Sequence, residues 1–177
     1  MIWLSNSTLQ RLRDQLRERG QRPSIALRGA VSPEVAEGLT IVAEYGALTE
    51  AMYLMMSADG QVTNDEREVL RGALRALSSD TIRTAHIESL LDSAAKQMAE
   101  HGREQRMAEV VAQLRDDPAR SEVAFVLAAA IAFADNAIAD EENETLNDLA
   151  EGLGIDEERA TALLDSVEAD LSSTAPV

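Results

Sequence analysis

The stretch "SADGQVTNDEREVL", residues 57–70, decides how this chain is read. Asp59-Gly60 is a turn pair, because Gly supplies positive φ and Asp bonds its own backbone two residues on. Thr63 followed by Glu66 is the T-x-x-E signature of a helix start, in which hydroxyl and carboxylate each satisfy an orphan N–H of the first turn. Apolar residues run up to the turn, including Met52, Met55 and Met56, and Val69, Leu70, Ala73, Leu74 and Leu77 follow at helical spacing. The stretch is therefore an acidic corner between two helices. "FADNAIADEENETL", residues 133–146, builds a second corner with different letters.

A shift of 76 residues lays Ala58, Asp59, Val62, Glu66, Glu68, Leu70 and Leu77 on Ala134, Asp135, Ile138, Glu142, Glu144, Leu146 and Leu153. With a gap of three, the tetrapeptide Leu90-Leu91-Asp92-Ser93 meets Leu163-Leu164-Asp165-Ser166. Each unit, about 45–94 and about 121–167, would be an apolar helix, a corner, an amphipathic helix and a further helix. Neither unit can bury its apolar helix alone, so the two are expected to pack against each other about an approximate two-fold axis.

Outward from the corners, the whole chain reads as helix. Leu9, Leu12 and Leu16 mark an amphipathic helix ending near Gly20, and a linker runs from there to Ser32. Ser32 caps a helix with Pro33 in its first turn, expected to be buried from there to Ala58. Helices carrying Ile87 to Met98 and Met107 to Leu114 follow, separated at Gly102, and the second stops before Asp117-Pro118. "SEVAFVLAAAIAFAD", residues 121–135, is apolar nearly all round and calls for a helix enclosed by others. A helix from Asp140 to Leu153 should stop at Gly154, and Asp156 should cap a last helix. Aromatic residues make up 3% of the chain, against a wealth of Ala and Leu, which favours helices over strands. The expected fold is an all-α, single-domain helical bundle over 31–171, with a basic N-terminal arm and linker at 1–30 and a flexible tail at 172–177.

Charge narrows the function. The formal net charge is −16, yet residues 1–28 hold six Arg (11, 13, 17, 19, 22, 28) against Asp14 and Glu18. An acidic body repels phosphate backbones, so nucleic acid is not an expected partner. The arm reads first as a solvated helix face, and functionally as peripheral attachment to an anionic membrane surface or an acidic protein face. The absence of cysteine excludes disulfides, thiolate zinc sites and cysteine nucleophiles. With no spanning stretch and no secretory pattern in "MIWLSNSTLQ", the expected location is the cytoplasm, with possible peripheral contact at the inner membrane face.

"MSADGQVTNDEREVL" resembles the A-D-G-x-I-x-x-x-E corner of the TerB tellurite-resistance family and TerB-like domains. "AAAIAFADNAIADEENETLNDLAEGLGIDEE" resembles its second copy. The resemblance covers roughly residues 45–170. It implies a compact helical bundle with an acidic surface, a role in resistance to tellurite and other stresses, divalent-cation binding, and membrane-associated protein partners. Asn136 stands where the family has Gly, and Ala139 where a capping hydroxyl is usual; Asn tolerates the left-handed turn.

An EF-hand loop counted from Asp59 or from Asp135 fails at several ligand positions. A different site would take one Asp and one Glu from each corner. Asp59, Glu66, Asp135 and Glu142 are the candidate metal ligands, for Ca²⁺ or Mg²⁺, whose hardness suits carboxylate oxygens. Against this stands plain architecture, since Asp-Gly is a turn pair and Glu66 closes a capping box. The second corner lacks the hydroxyl, so Asp140 is expected to cap there and leave Glu142 available. Glu68 and Glu144 read as solvated, with Arg71 and Arg75 as partners for Glu68. His86 and His101 lack metalloprotease spacing, and neither a phosphate loop nor a nucleophile elbow occurs, so no catalytic residue and no organic cofactor is assigned. The expectation is a non-enzymatic stress-response module that binds a divalent cation, a protein partner or both through its corners. The alternatives are a purely scaffolding domain and a carboxylate-dependent hydrolase.

Overall fold

Ala128, Ala129 and Ala130 lie at the centre of the bundle because side chains this small let neighbouring helices approach closely on every side. In the computed structural model, which describes residues 4–18, 32–134 and 138–173, they belong to a helix from Pro118 to Ala132 whose residues from Val123 onward are all buried. Among the described residues there are eight helices and no strand, in the order α1 (Asn6–Glu18), α2 (Pro33–Met56), α3 (Asn64–Leu77), α4 (Thr84–His101), α5 (Arg103–Leu114), α6 (Pro118–Ala132), α7 (Asp140–Leu153) and α8 (Glu157–Ser173). Residues 1–3, 19–31 with Arg19, Arg22 and Arg28, 135–137 with Asp135 and Asn136, and 174–177 lie outside the described residues, so the expected linker and the second corner's turn fall largely there.

The helix α6 packs against α2, α7, α3, α1, α8 and α5. It starts where Asp117 accepts from the N–H of Arg120 at 3.2 Å and Pro118 occupies the first turn. The apolar half of α2 lies along it, with Leu48, Met52, Leu54, Met55 and Met56 fully enclosed. Each such side chain contributes about 1.5–3 kcal/mol by leaving water. The methionines are thus core packing, as their helical positions suggested. The expectation of burial along all of α2 is corrected: its first turns carry Val35, Leu39 and Val42 outward, and burial becomes continuous only near Tyr45. The run of apolar letters concealed a helix that enters the core partway along its length.

Two contacts fix the helices that matter for the site. Arg106 on α5 and Glu50 on α2 pair through Nε at 2.6 Å and Nη2 at 2.8 Å, both side chains nearly buried, and Glu109 joins the same guanidinium. These carboxylates hold the Arg106 guanidinium above its ordinary pKa, the bonds to Glu50 being the largest cause. On the other side of α5, Gly152 of α7 lies so close that a Cβ there would meet Val111 Cγ2 at 2.7 Å. A side chain at this position would force Val111 or the two helices to shift. The basic helix α1 packs Thr8 and Leu12 inward, against α3 and α6, with Leu4 buried just before it, while Arg11 and Arg17 stay exposed. The helix ends follow the sequence closely: α7 ends with Gly154 left-handed at φ 72°, and Asp156 accepts from the N–H of Arg159 at 2.8 Å before α8.

Candidate functional site

The first corner is built by its own residues. Ser57 and Ala58 end α2, Asp59 Oδ1 accepts from the N–H of Gln61 at 2.8 Å, and Gly60 takes φ 80°, which a residue with a Cβ rarely adopts. Glu66 Oε2 then accepts from the N–H of Thr63 at 2.6 Å and from its hydroxyl at 2.7 Å. Thr63 Oγ1 accepts in turn from the N–H of Glu66 at 3.2 Å, completing the capping box the sequence called for. The Glu66 side chain is buried, which these donors and the positive end of α3 make tolerable.

The second corner reaches the same position with fewer parts. Ala139 occupies the N-cap, and Glu142 Oε2 accepts from its N–H at 2.8 Å, so the carboxylate half of a box forms without the hydroxyl half. This corrects the expectation that Asp140 caps and leaves Glu142 available: Asp140 is the first residue of α7 and is exposed, whereas Glu142 is buried. A carboxylate three residues into the helix can fold back onto the N-cap N–H whatever side chain the N-cap carries.

Of the four candidate ligands, Asp59 is exposed, Glu66 and Glu142 are buried at equivalent positions of α3 and α7, and Asp135 lies outside the described residues. Among the described residues no group of three or more His, Asp or Glu side chains is placed to hold a metal ion. Glu68 is a surface partner of Arg71 at 2.6 Å, as expected, and Arg71 also holds Glu88 of α4 at 2.8 Å. These bonds raise the Arg71 pKa, the bond to Glu88 most of all. Arg75 instead donates to Thr84. His86 is half-buried and His101 exposed.

Beside the corners lies a feature the sequence reading did not single out. A groove of about 770 Å³ runs between α5 and α7, starting at Ala58 of the first corner. Glu141, Glu144, Asp148 and Glu151 line it from α7, and Met107, Ala108 and Val111 from α5. Arg103 closes one end, donating to Ser57 Oγ at 3.2 Å and to Thr145 Oγ1 at 2.7 Å, so that one guanidinium ties the end of α2 to the first turns of α7. Its partial burial lowers its pKa from the ordinary arginine value, and the charge of Asp148 opposes that shift. The acidic stripe was legible as carboxylates three and four residues apart; Arg103 was not, because its role exists only once α5 meets α7.

No described helix is long and apolar enough to cross a membrane. No curated protein and no solved structure matches the chain. The family model of tellurite resistance protein TerB matches residues 46–164, a span that holds both corners and the groove, and the chain belongs to the TerB family.

Proposed function

We propose that this protein is a non-enzymatic, cytoplasmic binding module of a tellurite-resistance-related stress response, whose acidic corners take a divalent cation, Ca²⁺ or Mg²⁺. The observation that carries the reading is the pair Glu66 and Glu142: a strongly acidic chain turns one carboxylate of each corner inward, at the same position of the following helix. A hard cation beside them would offset the cost of enclosing negative charge. Asp59, at the turn before Glu66, would supply the second carboxylate of the first corner, and Asp135, which lies outside the described residues, is proposed for the second. The surface arginines of α1, Arg11 and Arg17, are proposed to support salt-sensitive attachment to an anionic membrane or protein face.

Melting the metal-stripped protein with and without millimolar Ca²⁺ or Mg²⁺ tests the cation. A ligand selective for the folded state must raise the melting temperature, by several degrees once it stands well above its dissociation constant. An unchanged transition in both ions contradicts the reading. The complete capping box at Thr63 and Glu66 favours a second reading, in which the corners are architecture and the fold is a scaffold. That reading predicts the unchanged transition.

A further inference from the structure

Elsewhere on this surface, carboxylates that face another helix are matched by arginine: Glu50 by Arg106, Glu88 by Arg71 and Glu122 by Arg159. The groove between α5 and α7 departs from that pattern. Glu141, Glu144, Asp148 and Glu151 project into it from one face of α7, and among the described residues none of the four joins an ion pair. Like charges three and four residues apart on a helix repel one another, so the stripe weakens α7 rather than supporting it. Two arginines line the same groove: Arg103 is engaged by the hydroxyls of Ser57 and Thr145, and Arg115 is exposed at its rim, so four stripe carboxylates outnumber them.

Opposite the stripe Met107, Ala108 and Val111 give the wall an apolar centre, flanked by Glu104 and Arg115. Methionine adapts to irregular partners, and Gly152 keeps α7 low against Val111, so the groove floor lies between two helices rather than under a raised side chain. From Glu141 to Glu151 the stripe extends about 15 Å at the helical rise, or nearly three turns. One wall is therefore anionic, the other apolar at its centre, and the length is that of a short helix.

We infer that the groove between α5 and α7 docks an amphipathic basic helix of a protein partner, with Lys or Arg set against the α7 stripe and apolar side chains against Met107 and Val111. Charge complementarity selects the occupant: an acidic or neutral helix would leave four carboxylates facing unlike surroundings, and a purely polar basic segment would leave the apolar wall wet. The mode is helix-in-groove recognition, in which anchors three and four residues apart supply affinity and charge supplies orientation and rate. It is independent of cation binding at the corners.

The probe is a synthetic 14-residue Leu/Lys peptide patterned as an amphipathic helix, with a scrambled peptide of the same composition and a Leu/Glu version as controls. Titration calorimetry should give at least tenfold tighter binding of the patterned Leu/Lys peptide than of either control, weakening as salt rises. Glu144→Lys with Asp148→Lys should cost at least tenfold, whereas Glu158→Lys with Asp165→Lys, which makes the same charge change on exposed positions of α8, should leave affinity within about twofold. Equal binding of the scrambled peptide, equal losses in the two double variants, or no loss in the groove variant would overturn the inference. All these positions are exposed, so folding is preserved and is verified by the melting transition.

Discussion

The two corners set a glutamate at the same place and surround it differently. At the first, Glu66 is held by the N–H and the hydroxyl of Thr63, and that hydroxyl returns a bond to the helix N–H. At the second, Glu142 is held by the N–H of Ala139, with no hydroxyl in the N-cap. Both carboxylates are nonetheless buried. The difference shows that the carboxylate, and not the threonine, is the part both corners share.

Removing each carboxylate is the strongest way to break this comparison. Glu66→Ala and Glu142→Ala should each cost about 1–3 kcal/mol, because each removes the charged acceptor of a part-buried N-cap N–H. Glu66→Ala should cost more, since the threonine hydroxyl also loses its acceptor. For a chain of this size, each kcal/mol lowers the melting temperature by about 2–4 °C. Equal melting of Glu142→Ala and wild type would show that the second corner does not depend on its glutamate.

The hydroxyl is the next part to exchange. Thr63→Ala should cost roughly 0.5–2 kcal/mol, the usual worth of an N-cap side chain, and Ala139→Thr should stabilise by a similar or smaller amount by completing the second box. Thermal melts of the two variants, run side by side, sharpen the comparison directly. If Ala139→Thr destabilises, the N-cap of α7 has no room for a hydroxyl and the equivalence of the corners is wrong.

The smallest effect expected is in acid. Glu122, outside both corners, is held by Arg159 at 2.7 Å, and that bond keeps its carboxyl below the ordinary glutamate pKa. Its contribution is present above the unfolded-state pKa, near about 4.3, and is lost as pH falls from there through the depressed folded value. The pair is partly exposed, so the loss is below about 1 kcal/mol. Unfolding stability measured from pH 6 to pH 3 should fall less steeply in Glu122→Gln than in wild type, whereas Ala139→Thr should follow the wild-type slope.

Much of this fold was readable because local and tertiary demands agree. Ser32, Thr63, Asp117, Gly154 and Asp156 mark helix ends by their own chemistry, and the all-round apolar run at 121–134 leaves an enclosed helix as the economical solution. What escaped the sequence depends on what stands opposite. The letters of α2 look largely apolar, yet Val35, Leu39 and Val42 find no helix to cover them among the described residues. The reach of Glu142 back to Ala139 was missed because a missing hydroxyl was taken to mean a missing cap. The groove was missed because its two walls are far apart in sequence, and only the contact at Gly152 and Val111 brings them together.

The central claim is that the acidic corners bind a divalent cation, and calorimetric titration of Ca²⁺ and Mg²⁺ into wild type, Asp59→Asn, Glu66→Gln, Asp135→Asn and Glu142→Gln tests it most directly. Gln can still complete a cap and Asn still suits a turn, so these changes remove charge while keeping shape. The account predicts wild-type binding below millimolar concentration, a clear loss of affinity in each variant, and cation-free melting temperatures equal to or above that of wild type as acidic repulsion is relieved. Wild-type protein that binds neither ion in that range, or variants that bind as well as wild type, would contradict it and leave both corners as architecture.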